Sequence, residues 1–295
     1  MLTEQQLHGV YVPVVTPFDA QENLDLESLH QLVATIAKND VQGIVLNGTT
    51  GESPSTSKEE IEQMMATVQR ALAGTNIPLV LGAGSNDTRS TVSRIEQAGA
   101  LGAEAVLVVV PYYNRPSQQG VIEHFRKAAQ VGVPVILYEI PHRTGLKLEH
   151  DTVRQILDID GVIGMKDSTP NTDLVTALVQ GGQTKPILCG EDTLLYPSLT
   201  AGAKGMMSAT ANVHTDRFVA FYQAFTSGQH ADAEAQFNAL LPLIRLAFAE
   251  PNPAPLKWLL HEQGIIEHGT LRLPMLPISP ALRERLLPFV QQLQV

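Results

Sequence analysis

The chain has 295 residues, a formal net charge of −10 at pH 7, 44% hydrophobic residues and 17% charged residues. This composition is typical of a globular protein with a large core, and it excludes a disordered or fibrous chain. The acidic balance, without a basic patch, disfavours nucleic acid as a partner. The longest purely apolar run, residues 105–111, is much shorter than a membrane span, so we expect no membrane association.

Cysteine and histidine usage limits the possible chemistry further. Cys189 is the single cysteine, which excludes an internal disulfide and suits a reducing cytoplasm. Residues 1–10 show neither the basic start nor the apolar core of a secretory signal, so we expect a cytoplasmic protein. The nine histidines are scattered without HExxH spacing and no CxxC occurs, so we expect no metal site.

Eight short apolar segments predict strands, and each is followed by apolar residues at helical spacing. The helix after the first strand is predicted to begin at an Asp25 cap, and the next at a capping box of Ser57 and Glu60, with Gly74 at its end. The predicted strands are residues 10–18, 43–47, 78–82, 105–110, 134–138, 162–166, 186–190 and 205–208.

Eight strand–helix units of this kind predict a (β/α)8 TIM barrel of class α/β. An open doubly wound sheet is the alternative, and it is weakened because no strand–helix turn carries G-x-G-x-x-G. From Asn212 onward the strands stop, so we expect residues 1–211 to form the catalytic barrel domain. Residues 212–295 are expected to form the last barrel helix and a C-terminal helical extension, with helices at 218–225, 233–248, 256–260 and 281–293.

Lys166 ends the sixth predicted strand, and the two-residue period of a strand places it on the same side as Gly164. Poor solvation of an ammonium at such a position favours the neutral amine, a nucleophile that forms Schiff bases with carbonyl carbon. The alternative is that Lys166 extends from the strand end into water. Among the eight lysines, only Lys166 ends a strand at the face where these barrels carry out chemistry, which favours the nucleophile.

Other distinctive residues also follow the predicted strands at this face. Each has an alternative interpretation as a tight turn, a packing pair or an exposed loop charge. Because they fall at successive strand ends around Lys166, together they predict one site. They are Thr49, Thr50, Tyr112, Tyr113, Tyr138, Arg143, Gly190 and Met207.

Six motifs occur in order over nearly the whole chain, and with them the chain resembles the dihydrodipicolinate synthase/N-acetylneuraminate lyase family of class I pyruvate aldolases. The PYYNRPS motif favours the synthase branch of that family over its sister lyases. The motifs are GTTGES (48–53), PYYNRPS (111–117), Y-x-x-P-x-R-T-G (138–145), G-x-K-D-S (164–168), EPNP (250–253) with Lys257-Trp258, and LRLP (271–274).

The resemblance implies a set of catalytic residues. Lys166 would form a Schiff base with pyruvate, and Tyr138 would transfer protons beside it. Thr50 and Tyr113 would complete a hydroxyl relay. In the family the Tyr113 position reaches across from a neighbouring subunit, which implies a homotetramer built as a dimer of dimers. The covalent Schiff base takes the place of a cofactor, so none is expected.

The resemblance also implies how the substrates bind. Thr49 and Thr50 would hold the pyruvate carboxylate, and Arg143 would receive the carboxylate of aspartate semialdehyde. The carbonyl of Gly190 and the side chain of Met207 would line the pocket. The implied product is 4-hydroxy-tetrahydrodipicolinate, in lysine and diaminopimelate biosynthesis.

Two departures from the family pattern concern the second substrate. Glu139 stands where the synthases usually carry Asn, and His142 replaces a residue that is more often small or Tyr. A carboxylate beside Arg143 would weaken the attraction of the guanidinium for an anionic aldehyde. One alternative is therefore a pyruvate aldolase for another aldehyde, of the 2-keto-3-deoxy sugar acid or N-acetylneuraminate type. Another is a lapsed barrel that only binds, which the presence of Lys166, Tyr138 and Thr50 disfavours.

The first prediction concerns feedback by L-lysine, which regulated members of the family bind at a subunit interface. Ser90 stands where those members hold the ligand's ammonium with a glutamate, and Lys58 and Ile61 replace two histidines. Loss of one charged hydrogen bond weakens binding by about one to two decades, and Lys58 adds a like charge. We expect that L-lysine, titrated into a pyruvate condensation assay, does not inhibit at concentrations that would inhibit a regulated member. Sub-millimolar inhibition would contradict this expectation.

Overall fold

The computed structural model of the protein describes residues 1–291, in which eight strands form a closed barrel in chain order. The pairs from β3–β4 to β7–β8 and the closing pair β8–β1 are parallel. The predicted (β/α)8 fold class is therefore confirmed. The strands are β1 (Gly9–Pro13), β2 (Gly43–Leu46), β3 (Leu79–Gly82), β4 (Ala105–Val109), β5 (Val135–Glu139), β6 (Val162–Asp167), β7 (Ile187–Cys189) and β8 (Gly205–Met207).

Helices alternate with these strands and then continue beyond the last one, as predicted. The final predicted helix, 281–293, is present as far as residue 291, and residues 292 and 293 lie outside the described part of the chain. The helices are α1 (Leu26–Ile36), α2 (Lys58–Ala71), α3 (Thr88–Ala100), α4 (Gln118–Ala129), α5 (Pro141–Thr144), α6 (His150–Leu157), α7 (Asp173–Gln180), α8 (Leu195–Thr200), α9 (Thr215–Thr226), α10 (His230–Ala247), α11 (Ala254–Glu262) and α12 (Pro280–Gln291).

The chain divides into two compact units, each made of two segments. The first unit comprises Met1–Tyr11 and Pro78–Met207, and the second comprises Val12–Ile77 and the described residues from Ser208 onward. The division of the chain into functional domains at residue 211 stays a prediction.

In the first unit, the pairing of β5 with β6 determines which side chains are neighbours. Every residue of both strands is buried, as expected for a parallel sheet that is covered on both faces. A β-bulge at Ile163 shifts the register, after which Tyr138 pairs with Lys166 and Glu139 with Asp167. A Cβ on Gly164 would lie 2.5 Å from the carbonyl oxygen of Pro186, so this close approach requires glycine.

In the second unit, the predicted helix starts are present. Asp25 accepts a hydrogen bond from the backbone N–H of Ser28 at the start of α1. Ser57 and Glu60 form both hydrogen bonds of a capping box at the start of α2. These side chains accept the N–H groups that the first turn of a helix leaves unpaired.

The first strand is shorter than the sequence pattern predicted, because it ends at Pro13 instead of Phe18. Proline has no N–H to continue a strand ladder, and Pro13 and Pro17 both fall in the predicted segment. The carbonyl of Pro17 instead accepts the N–H of Asp25, and Phe18 forms only an isolated antiparallel bridge with Leu24.

Neither a membrane-spanning helix nor a metal cluster occurs in residues 1–291. No helix there combines enough length with enough apolar character to cross a membrane. The same residues contain no group of three or more His, Cys, Asp or Glu side chains that could hold a metal ion.

Candidate active site

The structure brings Lys166 and Tyr138 together at the carboxyl ends of β6 and β5. The Nζ atom of Lys166 lies 4.3 Å from the centroid of the Tyr138 ring. Lys166 is only 7% exposed and Tyr138 only 4%. Lys166 therefore does not extend into water, and its amine lies against an aromatic ring whose hydroxyl can exchange protons.

Gly190, which directly follows β7, provides the space that Lys166 occupies. A Cβ at this position would overlap Cε of Lys166 and lie 2.5 Å from Oγ of Ser168. The backbone N–H of Gly190 donates a 2.7 Å hydrogen bond to the carbonyl of Asp167, which holds the two strand ends close together. The resemblance implied a role for the carbonyl of Gly190. The structure shows in addition that a residue without a side chain is needed at position 190 to leave room for Lys166.

Glu139 and Asp167 lie beside this pair in the sequence, and strand alternation directs them to the opposite face of the sheet. Glu139 is fully buried, and its Oε1 accepts a 2.9 Å hydrogen bond from the N–H of Leu148. The pKa of Glu139 is raised to about 7, chiefly by burial and also by the nearby Asp167, although the N–H bond from Leu148 acts to lower it. Burial also raises the pKa of Asp167.

The expectation that Glu139 lies beside Arg143 was wrong. No ion pair joins the two residues in the described part of the chain, and Arg143 is exposed. Because Glu139 follows Tyr138 within β5, its side chain is directed away from the face that carries Tyr138 and Lys166. The carboxylate therefore does not neutralise the guanidinium of Arg143.

Arg143 and His142 belong to the short helix α5, which the sequence pattern did not predict. Pro141 at its first position and Gly145 at its end, with φ of 71°, are the local signals that could have predicted it. His142 is exposed at the surface of this helix. Partial desolvation of its imidazole, together with the adjacent Arg143, lowers the pKa of His142. Arg143 is thus presented to solvent close to the end of β5.

Tyr113 occupies an unusual conformation in the loop after β4. Its side chain is 89% exposed and its φ is 71°, in the left-handed region that costs a non-glycine residue about 1–3 kcal/mol. The loop is held by Asn114, whose side-chain amide donates a 2.8 Å hydrogen bond to the carbonyl of Asn86. The structure leaves Tyr113 in solvent, whereas Met207 is fully buried in β8.

In the second unit, the loop after β2 carries Thr49 and Thr50. Thr50 is buried, and its hydroxyl oxygen accepts a 3.0 Å hydrogen bond from the side-chain amide of Asn252. Thr49 is half-buried. The hydroxyl of Thr16 donates a 2.7 Å hydrogen bond to the carbonyl of Gly51, which anchors the end of the loop.

A buried ion pair next to this loop was not predicted. Nζ of Lys257 lies 2.5 Å from Oε1 of Glu52, donates to the carbonyl of Thr270 and lies 4.1 Å from the centroid of the Phe18 ring. Burial lowers the pKa of Lys257 to about 8, against the opposing effect of Glu52. The apolar residues on both sides of Lys257 in α11 were the signal that it would be buried.

The closed barrel and the match to a family model together define an enzyme of the lyase class. Residues 6–293 match the model of the dihydrodipicolinate synthetase family, so the chain belongs to this family. This is the family that the six motifs of the chain resemble, so the resemblance is confirmed.

Three similar proteins carry names that bear on the activity. The 4-hydroxy-tetrahydrodipicolinate synthase of Thermomicrobium roseum is 40% identical over 95% of this chain and 93% of its own. A dihydrodipicolinate synthase from Acinetobacter baumannii, solved in complex with pyruvate, is 33% identical, with a TM-score of 0.93 over 98% of this chain and 99% of its own. A monomeric dihydrodipicolinate synthase variant is 33% identical, with a TM-score of 0.94 over 99% of this chain and 98% of its own.

Replacing Glu139 by Gln tests the burial of this carboxyl through the pH dependence of stability. The folded pKa of about 7 exceeds the ordinary 4.5, so the folded state binds more protons between these values, and stability falls as pH rises through them. Across this pH range the free energy of unfolding falls by about 3 kcal/mol because of Glu139. We expect Glu139→Gln to remove most of that loss when urea unfolding is measured from pH 4 to pH 8.

The exposed Glu149 provides the matched control. We expect Glu149→Gln to keep the pH dependence of the unmodified protein, because its side chain lies in water. A pH dependence in Glu139→Gln equal to that of the unmodified protein would contradict the effect of burial on the carboxyl at position 139.

Proposed function

We propose that the protein condenses pyruvate with aspartate semialdehyde to 4-hydroxy-tetrahydrodipicolinate, as the names of its relatives indicate for them. The observation that carries the proposal is the enclosed amine of Lys166 under the Tyr138 ring, with Gly190 leaving room for it. An amine in such a site is suited to attack a ketone carbon.

In the proposed reaction, the amine of Lys166 adds to C2 of pyruvate, and water leaves as the iminium forms. The iminium withdraws electrons, so the methyl group loses a proton and an enamine results. The enamine forms a carbon–carbon bond with the aldehyde carbon, whose oxygen takes up a proton. The amine of the second substrate then attacks C2, expels Lys166 and closes the ring. Tyr138 is the proposed carrier of protons in these steps, and the hydroxyls of Thr50 and Tyr113 are the proposed further members of its proton relay.

The binding roles follow from the resemblance. Arg143 is proposed to bind the carboxylate of the aldehyde, and its freedom from Glu139 favours an anionic second substrate over a neutral sugar-type aldehyde. Gly190 and Met207 are proposed to line the pocket of the first unit. Thr49 and Thr50, in the second unit, are proposed to bind the pyruvate carboxylate.

We also propose a homotetramer in the cytoplasm. The support is Tyr113, which is held in a left-handed conformation with its ring in solvent, a state that suits contact with another copy of the chain. A covalent link between pyruvate and Lys166 needs no additional cofactor.

Borohydride reduction in the presence of pyruvate tests the proposed nucleophile. We expect one permanent adduct, located by peptide mass mapping to the peptide that contains Lys166. Lys166→Ala should lose both the adduct and turnover, because it removes the attacking amine. Lys147→Ala and Lys204→Ala should keep both, since neither lysine lies at the carboxyl end of a strand.

Two outcomes would refute the proposal. An adduct on a different lysine, or none, would refute the role of Lys166. An adduct on Lys166 together with faster condensation of a sugar-type aldehyde than of aspartate semialdehyde would refute the second substrate.

A further inference from the structure

A side chain of the EPNP motif forms a hydrogen bond with the Thr49–Thr50 loop. Nδ2 of Asn252 lies 3.0 Å from Oγ1 of Thr50, and the two residues are 202 positions apart in the chain. Thr50 is 3% exposed and Asn252 is 8% exposed, so water has little access to the bond between them. The proposed function gives Thr50 a role but gives none to Asn252.

We propose that Asn252 is a positioning residue that sets the direction of the Thr50 hydroxyl in proton transfer, an inference that rests on the proposed function. A threonine hydroxyl has one proton and two acceptor lone pairs, whereas the amide nitrogen of asparagine can only donate. Because Thr50 accepts from Asn252, its own proton is directed elsewhere and is available to another partner. Without the amide, the hydroxyl rotor has no fixed direction.

The backbone of the loop is anchored independently of Asn252. Thr16 binds the carbonyl of Gly51, and Glu52 binds both Nζ of Lys257 and the N–H of Arg272. These contacts fix the chain on the C-terminal side of Thr50 by charge and by main-chain hydrogen bonds. Removal of the Asn252 amide is therefore expected to change the hydroxyl orientation and leave the loop path intact.

The amide oxygen of the Asn252 side chain provides a second argument for this role. Its Oδ1 atom is buried and has no hydrogen-bond partner in residues 1–291. A buried amide kept for stability alone is expected to pair both of its ends, because an unpaired carbonyl oxygen carries a desolvation cost. The end that is paired is the donor to Thr50.

The test separates Schiff-base formation from proton transfer. With saturating pyruvate in deuterated water, exchange of the pyruvate methyl protons, followed by NMR, reports enamine formation without any aldehyde. Borohydride trapping reports the covalent link. We expect Asn252→Ala to keep trapping and to slow exchange by about 10- to 100-fold.

A double-mutant cycle with Thr50→Val shows whether Asn252 acts through that hydroxyl. If it does, adding Asn252→Ala to Thr50→Val slows exchange no further. Asn252→Asp keeps the shape of the side chain, but its ionised carboxylate accepts a hydrogen bond from the Thr50 hydroxyl. This reverses the direction of the bond, so the variant should also slow exchange. Asn171→Ala, at an exposed asparagine, should exchange at the unmodified rate.

The outcomes distinguish this inference from the proposed function. Unmodified exchange in both Asn252→Ala and Asn252→Asp, or losses that multiply in the double variant, would overturn the positioning role alone. The positioning role would also be overturned if, in both variants, exchange slowed in proportion to a fall in the thermal unfolding midpoint, because lost stability would then explain the slower exchange. Failure of the unmodified protein to trap pyruvate would overturn the proposed function and this inference together.

Discussion

The rest of the site depends on the enclosure of one lysine side chain. Lys166 fits between the Tyr138 ring and the bare backbone of Gly190, and a single added carbon at position 190 would overlap it. The register of β5 and β6 places the two side chains together, and the bulge at Ile163 determines that register. Packing at Gly164 brings the backbone of the same strand close to Pro186. Strand pairing, together with the two glycines that leave room for close packing, thus sets the position of the amine.

The alternation of side chains along β5 and β6 separates the lysine–tyrosine pair from two buried carboxyl groups. Tyr138 and Lys166 lie on one face, while the next residues, Glu139 and Asp167, are buried on the other. Burial raises the pKa of both carboxyls, so Glu139 exists partly in its neutral form near pH 7. A charged side chain at position 139 is tolerated because it can be protonated, and it leaves the face that carries Lys166 unchanged.

The features that follow a local period could be predicted from the sequence. The eight strands, the Asp25 cap and the capping box at Ser57 depend on neighbours within four residues, and they were predicted, whereas the short helix α5 was not. The prominence of Lys166 came from its place at a strand end. The early end of β1 was missed because its β-branched residues outweighed Pro13 and Pro17.

The contacts between distant parts of the chain could not be predicted. The bond from Asn252 to Thr50 spans 202 positions, and Lys257 reaches Glu52 across a similar separation. Hydrophobic period identifies a buried face but does not identify the partner of a polar group within it. For Glu139, the neighbouring position of Arg143 in the sequence suggested a contact that the alternation of β5 prevents.

A crystal structure of the protein soaked with pyruvate would test the central claim most directly. The enclosure of Lys166 predicts continuous electron density from its Nζ atom to C2 of pyruvate, beneath the Tyr138 ring. Pyruvate bound without a covalent link, or density joined to another lysine, would contradict the account.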